Sequence, residues 1–205
     1  MTLQNRVLPT GEIVAHPARG SLTGNRGILH RADLTLGAAR WKHPHWVCCA
    51  LEFRGRHRLP MPPNAWTALF FLDESAALAA GHRPCHQCRH ADAKRFRAAW
   101  QAAHGPVTST KDIDRALHPA RVTRTRQQLR HSAPAETLPD GSQILTDAPY
   151  LIWQDRALRY SPAGYTAAVP RPTGPVTVLT PAPLVATLAQ GYGPALHPTA
   201  RALLD

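Results

Sequence analysis

The feature that most constrains this chain is a pair of cysteines, Cys85 and Cys88, placed directly after a helix signal. Asp73 is a candidate N-cap, ESAALAA has a helix-forming composition, and Gly81 is a natural helix stop in a left-handed conformation. A C-x-x-C turn directs two thiolates to one side of a tight loop, which suits tetrahedral zinc at about 2.3 Å per sulfur. The sequence therefore predicts half of a metal site at residues 82–88, which we call the knuckle.

The same cysteine spacing also serves redox dithiols. Such pairs cap a helix that follows a strand in a βαβ pattern. Here a helix and a glycine precede the cysteines, and Pro84 lies before the first cysteine instead of between the two. We therefore favour a structural metal over a redox pair, and plain unliganded thiols remain as the other alternative.

The second half of a metal site must come from Cys48 and Cys49, the other two cysteines of the chain. They are adjacent in HWVCCALEF, residues 45–53, which has the length and composition of a strand. Because successive strand side chains point to opposite faces, one of them reaches a shared metal more easily than both. Cys49 lies on the more apolar face with Val47 and Leu51, the face expected to point inward, and we choose it ahead of Cys48.

The fourth metal ligand is left open by the sequence. Histidines close to Cys49 or to the knuckle are candidate ligands: His43, His45, His82, His86 and His90. A site of three cysteines with water or substrate in the remaining position is the alternative, and such a site would be reactive instead of structural. Without a metal, the adjacent cysteines would be buried core thiols.

The charge of the chain favours a polyanionic partner. It has 24 Lys and Arg residues against 13 Asp and Glu, a formal net charge of +11. This points to nucleic acid first and anionic lipid second. Residues 1–102 carry a net +8 and residues 103–205 a net +3, so the excess lies with the cysteines. Of the basic residues 21 are arginines, a bias that a GC-rich genome also produces without any function.

Two basic segments and one helix start supply candidate phosphate contacts. The loop after the strand carries Arg54, Arg56 and Arg58, and Arg89 follows the knuckle. The connector carries a second set: Arg121, Arg124, Arg126 and Arg130. Contacts of this kind give salt-dependent, sequence-independent affinity. The alternative for each set is an ordinary solvated face.

Composition predicts three regions: a basic metal-binding region 1–105, a helical connector 106–134 and a β-rich region 135–205, which together form one domain or more. In the last region SQILT, PYLIW and ALRYS are spaced as a three-strand meander. The expected fold class is α+β, with short strands and helices around a zinc knuckle and a β-meander in the C-terminal third.

Helix boundaries are marked by glycine and proline. RHADAKRFRAAWQAAHG predicts a helix ended by Gly105, and the connector helix is expected to break at Pro119. Pro181 opens a short helix that stops at Gly191. With no run of about 18 apolar residues and no secretory signal pattern, we expect a cytoplasmic protein, in which structural disulfides are uncommon.

FFLDESAALAAGHRPCHQC, residues 70–88 of 205, resembles the second half of the metal-binding domain of Ada-type DNA-repair proteins. Two aromatics, a short Ala-rich helix with an acidic start, and Gly-x-Arg-Pro-Cys-x-x-Cys carry the resemblance. It implies zinc held by four cysteines, contact with DNA backbone, and methyl transfer from a phosphotriester to a cysteine. We carry over the zinc knuckle and a DNA contact by Arg83. The adjacent Cys48 and Cys49, and His82 where the family has an aromatic, depart from that pattern, so the methyl-acceptor role is not carried over.

We therefore expect a zinc protein that contacts nucleic-acid backbone, in DNA repair or regulation. One alternative is a metal-dependent nucleic-acid hydrolase with an open metal site. Its carboxylates would come from the acidic residues near the knuckle: Glu52, Asp73, Glu74 and Asp92. The second alternative is a structural or interaction protein without metal. The H-x-E signature of nucleobase deaminases, the nucleotide-binding glycine motifs and the G-x-S-x-G motif are missing from the sequence.

Overall fold

The structure is a computed structural model that describes residues 2–57, 61 and 65–205, with 56 and 57 described by their backbone alone. The first eight strands are β1 (Gln4–Val7), β2 (Ile13–Ala15), β3 (Leu22–Asn25), β4 (Val47–Ala50), β5 (Glu52–Phe53), β6 (Arg56–His57), β7 (Leu69–Phe71) and β8 (Arg83–Pro84). Six of them form a sheet in the order β2-β1-β7-β3-β4-β8, and β5 pairs with β6. Pairs β1–β7 and β4–β8 are parallel, and the other pairs are antiparallel.

A second sheet is built from the C-terminal strands. These are β9 (His131–Pro134), β10 (Gln143–Leu145), β11 (Pro149–Trp153), β12 (Arg156–Ser161), β13 (Gly164–Pro170) and β14 (Pro175–Val178). They pair in the order β13-β12-β11-β10-β14-β9, and all pairs are antiparallel. The expected meander is confirmed as β10–β11–β12, and helices and strands together confirm the α+β class.

Helix α1 (Glu74–Ala79) is buried along its whole length and joins the two sheets. Its Ala77 packs in the apolar cluster of the first sheet, Ala76 packs with Leu151 and Leu158 of the second sheet, and Leu78 packs among the helices. The apolar core therefore crosses the boundaries of the three regions expected from composition.

Both ends of α1 follow the sequence signals. The carboxylate of Asp73 accepts a hydrogen bond from the backbone N–H of Ala76 at 2.9 Å, as an N-cap does. Gly81 follows the helix with a φ of 78°, and a Cβ there would meet Cδ of Arg121 at 2.6 Å. Glycine is therefore required at this position both by the backbone and by the arginine packed on it.

The remaining helices are α2 (His90–His104), α3 (Thr110–Arg121), α4 (Ala182–Ala189) and α5 (Pro198–Arg201). Gly105 ends α2 and Gly191 follows α4, as expected. The expected break at Pro119 is wrong, because α3 runs through it to Arg121. The proline lies in the last turn and removes one backbone hydrogen bond, while Ile113 and Leu117 stay anchored in the core. Within the described residues, no helix is long and apolar enough to cross a membrane.

Candidate metal centre

Three cysteines, Cys49, Cys85 and Cys88, bring their sulfur atoms within 4.8 Å of one another. We call this group the cysteine cluster. Cys49 is buried, and the two knuckle cysteines are partly exposed. Three thiolates around one point, with one side open, can hold a metal ion that prefers sulfur ligands.

The backbone places the knuckle beside β4. Strand β8 runs parallel to β4 with Cys48 opposite Pro84, and the N–H of Cys85 donates to the carbonyl of Cys48 at 2.9 Å. The N–H of Arg89 then donates to the carbonyl of Cys85 at 3.0 Å, which closes the turn before α2. Cys49 therefore meets two cysteines that lie 36 and 39 residues further along the chain.

Interactions with backbone N–H groups favour the thiolate form of the knuckle cysteines. Those of Gln87 and Cys88 interact with the sulfur of Cys85, and that of Ala50 interacts with the sulfur of Cys88. Donors of this kind stabilise thiolates, the form in which cysteine binds metals.

The three sulfurs also set each other's ionisation. Hydrogen bonds from the thiols of Cys49 and Cys88 lower the pKa of Cys85. The hydrogen bond to Cys85 raises the pKa of Cys49, followed by that to Cys88 and by burial. The cluster thus accommodates one negative charge readily and opposes a second. A bound cation would remove that opposition by compensating the added charge.

Cys48 is not part of the cluster, although the sequence made it a candidate ligand. It is fully buried among Val7, Leu69 and Phe71 on the opposite face of β4, and burial raises its pKa to about 12. The expectation that the face of Cys49 and Leu51 points inward was wrong, since Leu51 is exposed. Helix α1 covers the Cys48 face, which makes that face the core side of the strand.

Arg83 and Arg89 were expected to contact nucleic acid, and both are buried in ion pairs instead. Arg83 donates to both carboxylate oxygens of Asp114, at 2.8 and 2.7 Å. Arg89 pairs with Glu74 at 2.8 Å and with Asp92 at 2.7 Å. Its Nη1 also donates to the sulfur of Cys48 at 3.2 Å. Because these donors are satisfied inside the protein, the two arginines hold the knuckle and are not available to phosphate. The sequence offered no signal for Asp114, which lies 31 residues from Arg83.

The three arginines of the basic loop, Arg54, Arg56 and Arg58, are described to different extents. Arg54 is exposed on the turn between β5 and β6, with its guanidinium group 5.2 Å from the ring centroid of Phe53. The side chain of Arg56 and the whole of Arg58 lie outside the described residues. Of the basic loop, Arg54 therefore remains a candidate phosphate contact.

The histidines proposed as fourth ligands do not join the cluster in the part of the chain that is described. The ring centroids of His86 and His90 lie 4.6 Å apart, and Nδ1 of His45 lies 2.8 Å from the carboxylate of Asp114. His82 is fully buried and its Nε2 accepts a hydrogen bond from Nε of Arg26 at 3.1 Å. In the described residues the cluster thus offers three candidate metal ligands.

The carboxylates that a hydrolase would use are largely engaged. Asp73 caps α1 and accepts from the hydroxyl of Tyr165, while Glu74 and Asp92 share Arg89. Glu52 is exposed on β5. Among the described residues, none of these carboxylates belongs to the cysteine cluster.

Comparisons with known proteins identified no relative of this chain. No family model, no curated protein and no solved structure matches this chain.

Proposed function

We propose that this chain is a zinc protein that contacts nucleic-acid backbone, in DNA repair or its regulation. The observation that supports it most directly is the cysteine cluster, with three sulfur atoms within 4.8 Å of one another. Three thiolates select zinc over the hard cations, which prefer oxygen ligands. Water or another side chain completes the coordination.

The nucleic-acid contact is supported by charge close to the knuckle. The net charge of the chain is +11, and the exposed Lys94 lies on α2, the helix that begins directly after the knuckle. Arg54 is exposed on the hairpin that follows Cys49. Exposed cations around a rigid metal site bind phosphates without reading base sequence.

The engaged carboxylates make the hydrolase less well supported than a binding role. Metal-assisted hydrolysis needs a group that accepts a proton from the attacking water. Asp73, Glu74 and Asp92 are held by a helix cap, a tyrosine or an arginine.

Metal content of the purified protein tests the zinc proposal. We expect about one zinc per chain. Cys49→Ala should lose the zinc and Cys48→Ala should keep it, because the two cysteines are neighbours on opposite faces of β4. Replacement of zinc by cobalt should give thiolate-to-metal absorption in the wild type and in Cys48→Ala. Metal-free wild-type protein, or equal zinc in both variants, would contradict the proposal.

Binding to random duplex DNA tests the contact. The logarithm of the association constant should fall linearly with the logarithm of salt between about 50 and 200 mM, with a slope near −0.9 per phosphate contact. Lys94→Gln and Arg54→Gln should each reduce that slope by about 1. Arg201→Gln, at an exposed site on α5, is the matched control. Affinity that does not change with salt would sink this part of the proposal.

A further inference from the structure

A cavity of about 530 Å³ lies away from the cysteine cluster, where the β1–β2 turn, the C-terminal end of α3 and the loop before β9 meet. It is lined by five arginines: Arg26, Arg40, Arg121, Arg126 and Arg130. Glu12 is the one acidic side chain among its described lining residues. We call it the arginine cavity. Its charge is strongly unbalanced for a concave site.

Two of these arginines are buried without a carboxylate partner. Arg26 is 3% exposed and donates to Nε2 of His82 and to the carbonyl of Ala80. Arg121 is 1% exposed and donates to the carbonyls of Gly81 and Pro44. Within the described residues neither forms an ion pair, although buried arginines are ordinarily paired with an acidic group.

One buried donor of a lining arginine has no acceptor among the described residues. Nε of Arg121 is inaccessible to solvent and forms no hydrogen bond there. A buried guanidinium N–H that has no acceptor costs free energy comparable to the loss of one hydrogen bond to a charged group. Burial, followed by the charge of Arg121 and that of Arg40, also lowers the pKa of Arg26, so the positive charge is unfavourable until an anion compensates it.

Aromatic rings hold these cations and offer a flat surface. The guanidinium groups of Arg26 and Arg121 each lie 4.0 Å from the ring centroid of Trp46, which is itself buried. Trp41 lines the cavity, is partly exposed, and has its ring centroid 5.7 Å from that of Trp46. Guanidinium groups fixed on a ring are preorganised for phosphate, and an accessible indole face stacks on a nucleobase.

We propose that the arginine cavity binds the phosphate of a nucleotide, with the base against Trp41. The nucleotide is either free or part of a nucleic-acid strand. The choice of a nucleotide rests on the proposed nucleic-acid role, while the zinc site is independent of it. Trp46 immediately precedes β4, so the cavity lies about 10 Å along the strand from Cys49.

Titration calorimetry with 5′-AMP, inorganic phosphate and adenosine tests this inference on the full chain. We expect 5′-AMP to bind with a Kd below about 1 mM, inorganic phosphate to bind more weakly, and adenosine not to bind. Arg40→Gln and Arg130→Gln should each weaken 5′-AMP binding at least about tenfold, the value of one charged hydrogen bond. The matched control is Arg124→Gln, an exposed arginine of the same loop that does not line the cavity. Thermal melting shows that each variant is folded.

A short single-stranded oligonucleotide distinguishes the two sources of phosphate. Binding of 5′-AMP that is lost in Arg40→Gln assigns a free nucleotide. Binding of the oligonucleotide alone, lost in the same variant, assigns a strand. No binding of either ligand, or binding that Arg40→Gln leaves unchanged, would overturn the inference. Duplex binding and zinc content that persist in that case would leave the function proposed above standing.

Discussion

Two pairs of buried arginines in this protein have opposite environments. Beside the knuckle, Arg83 and Arg89 meet Asp114 and Glu74 at 2.7 and 2.8 Å. In the arginine cavity, Arg26 and Arg121 meet carbonyls, a histidine and the ring of Trp46, with no ion pair in the described structure. Carboxylates of the protein neutralise the charges of the first pair, whereas the positive charges of the second pair are available to an anionic ligand. Burial of an arginine therefore says little about its role until its partner is known.

The largest effect should come from breaking a completed pair. Arg83→Met leaves the carboxylate of Asp114 buried, with His45 as its remaining ion-pair partner among the described residues, and should lower the free energy of unfolding by about 3–5 kcal/mol. Urea denaturation measures the change. Asp155→Asn, at an exposed ion pair of 3.8 Å, is the control and should change stability by less than about 0.5 kcal/mol. A similarly small loss for Arg83→Met would erase the distinction between the two pairs.

Metal removal should have the next largest effect, confined to the knuckle side. With zinc at about 100 times its Kd, the bound metal adds about 2.7 kcal/mol to the free energy of unfolding. A chelator should remove this increment from the wild type and from Cys48→Ala, and have no effect on Cys49→Ala. Denaturation with and without chelator checks it. An equal chelator effect on both variants would place the metal elsewhere.

Acidic pH should lower the free energy of unfolding through His82, which contacts Arg26 of the arginine cavity. Burial, then the charges of Arg26 and Arg121, lower the pKa of His82 well below 6.5. The folded chain keeps this imidazole neutral while the unfolded chain takes up a proton. His82 therefore costs stability below about pH 6.5, by up to about 1.4 kcal/mol per pH unit, and nothing above it. His82→Gln should reduce the slope of stability against pH. An unchanged slope in His82→Gln would contradict this account.

The smallest effect on stability should come from the unpaired arginine. Arg26→Met removes a buried charge without leaving a carboxylate unpaired. The loss of the contacts with His82 and Trp46 is therefore offset, because the desolvation cost of the buried guanidinium is removed as well. We expect a change within about 1.5 kcal/mol, together with loss of 5′-AMP binding. Denaturation beside Arg83→Met measures the contrast directly. A loss equal to that of Arg83→Met would show that the cavity arginine is also structural.

Local signals in the sequence predicted the elements that depend on neighbouring residues. Asp73 caps α1, Gly81 and Gly105 stop their helices, and the C-terminal meander forms as spaced. These local signals were sufficient because helix capping, left-handed turns and strand alternation involve residues only a few positions apart. Pro119 is the exception, since the burial of Ile113 and Leu117 outweighs one missing hydrogen bond in the last turn.

The cavity could be predicted only in part. Arg121, Arg126 and Arg130 were candidates for phosphate contacts, and all three line it, whereas Arg124 does not. The connector was expected to be helical, but α3 ends at Arg121 and the other two arginines follow it. No local motif distinguishes Trp41 and Trp46 from the other three tryptophans of the chain. No sequence pattern brings residues 40–46 beside the end of α3.

The sequence by itself determined that a knuckle forms at Cys85 and Cys88, and that one residue of the adjacent pair can reach it. Tertiary structure alone decided that this residue is Cys49, because α1 covers the Cys48 face of β4 and makes it the core. It also decided which arginines have carboxylates and which line a cavity. The partners Arg89 and Glu74 lie 15 residues apart and Arg121 and Pro44 lie 77 apart, and their pairing depends on which surfaces the packed core brings together.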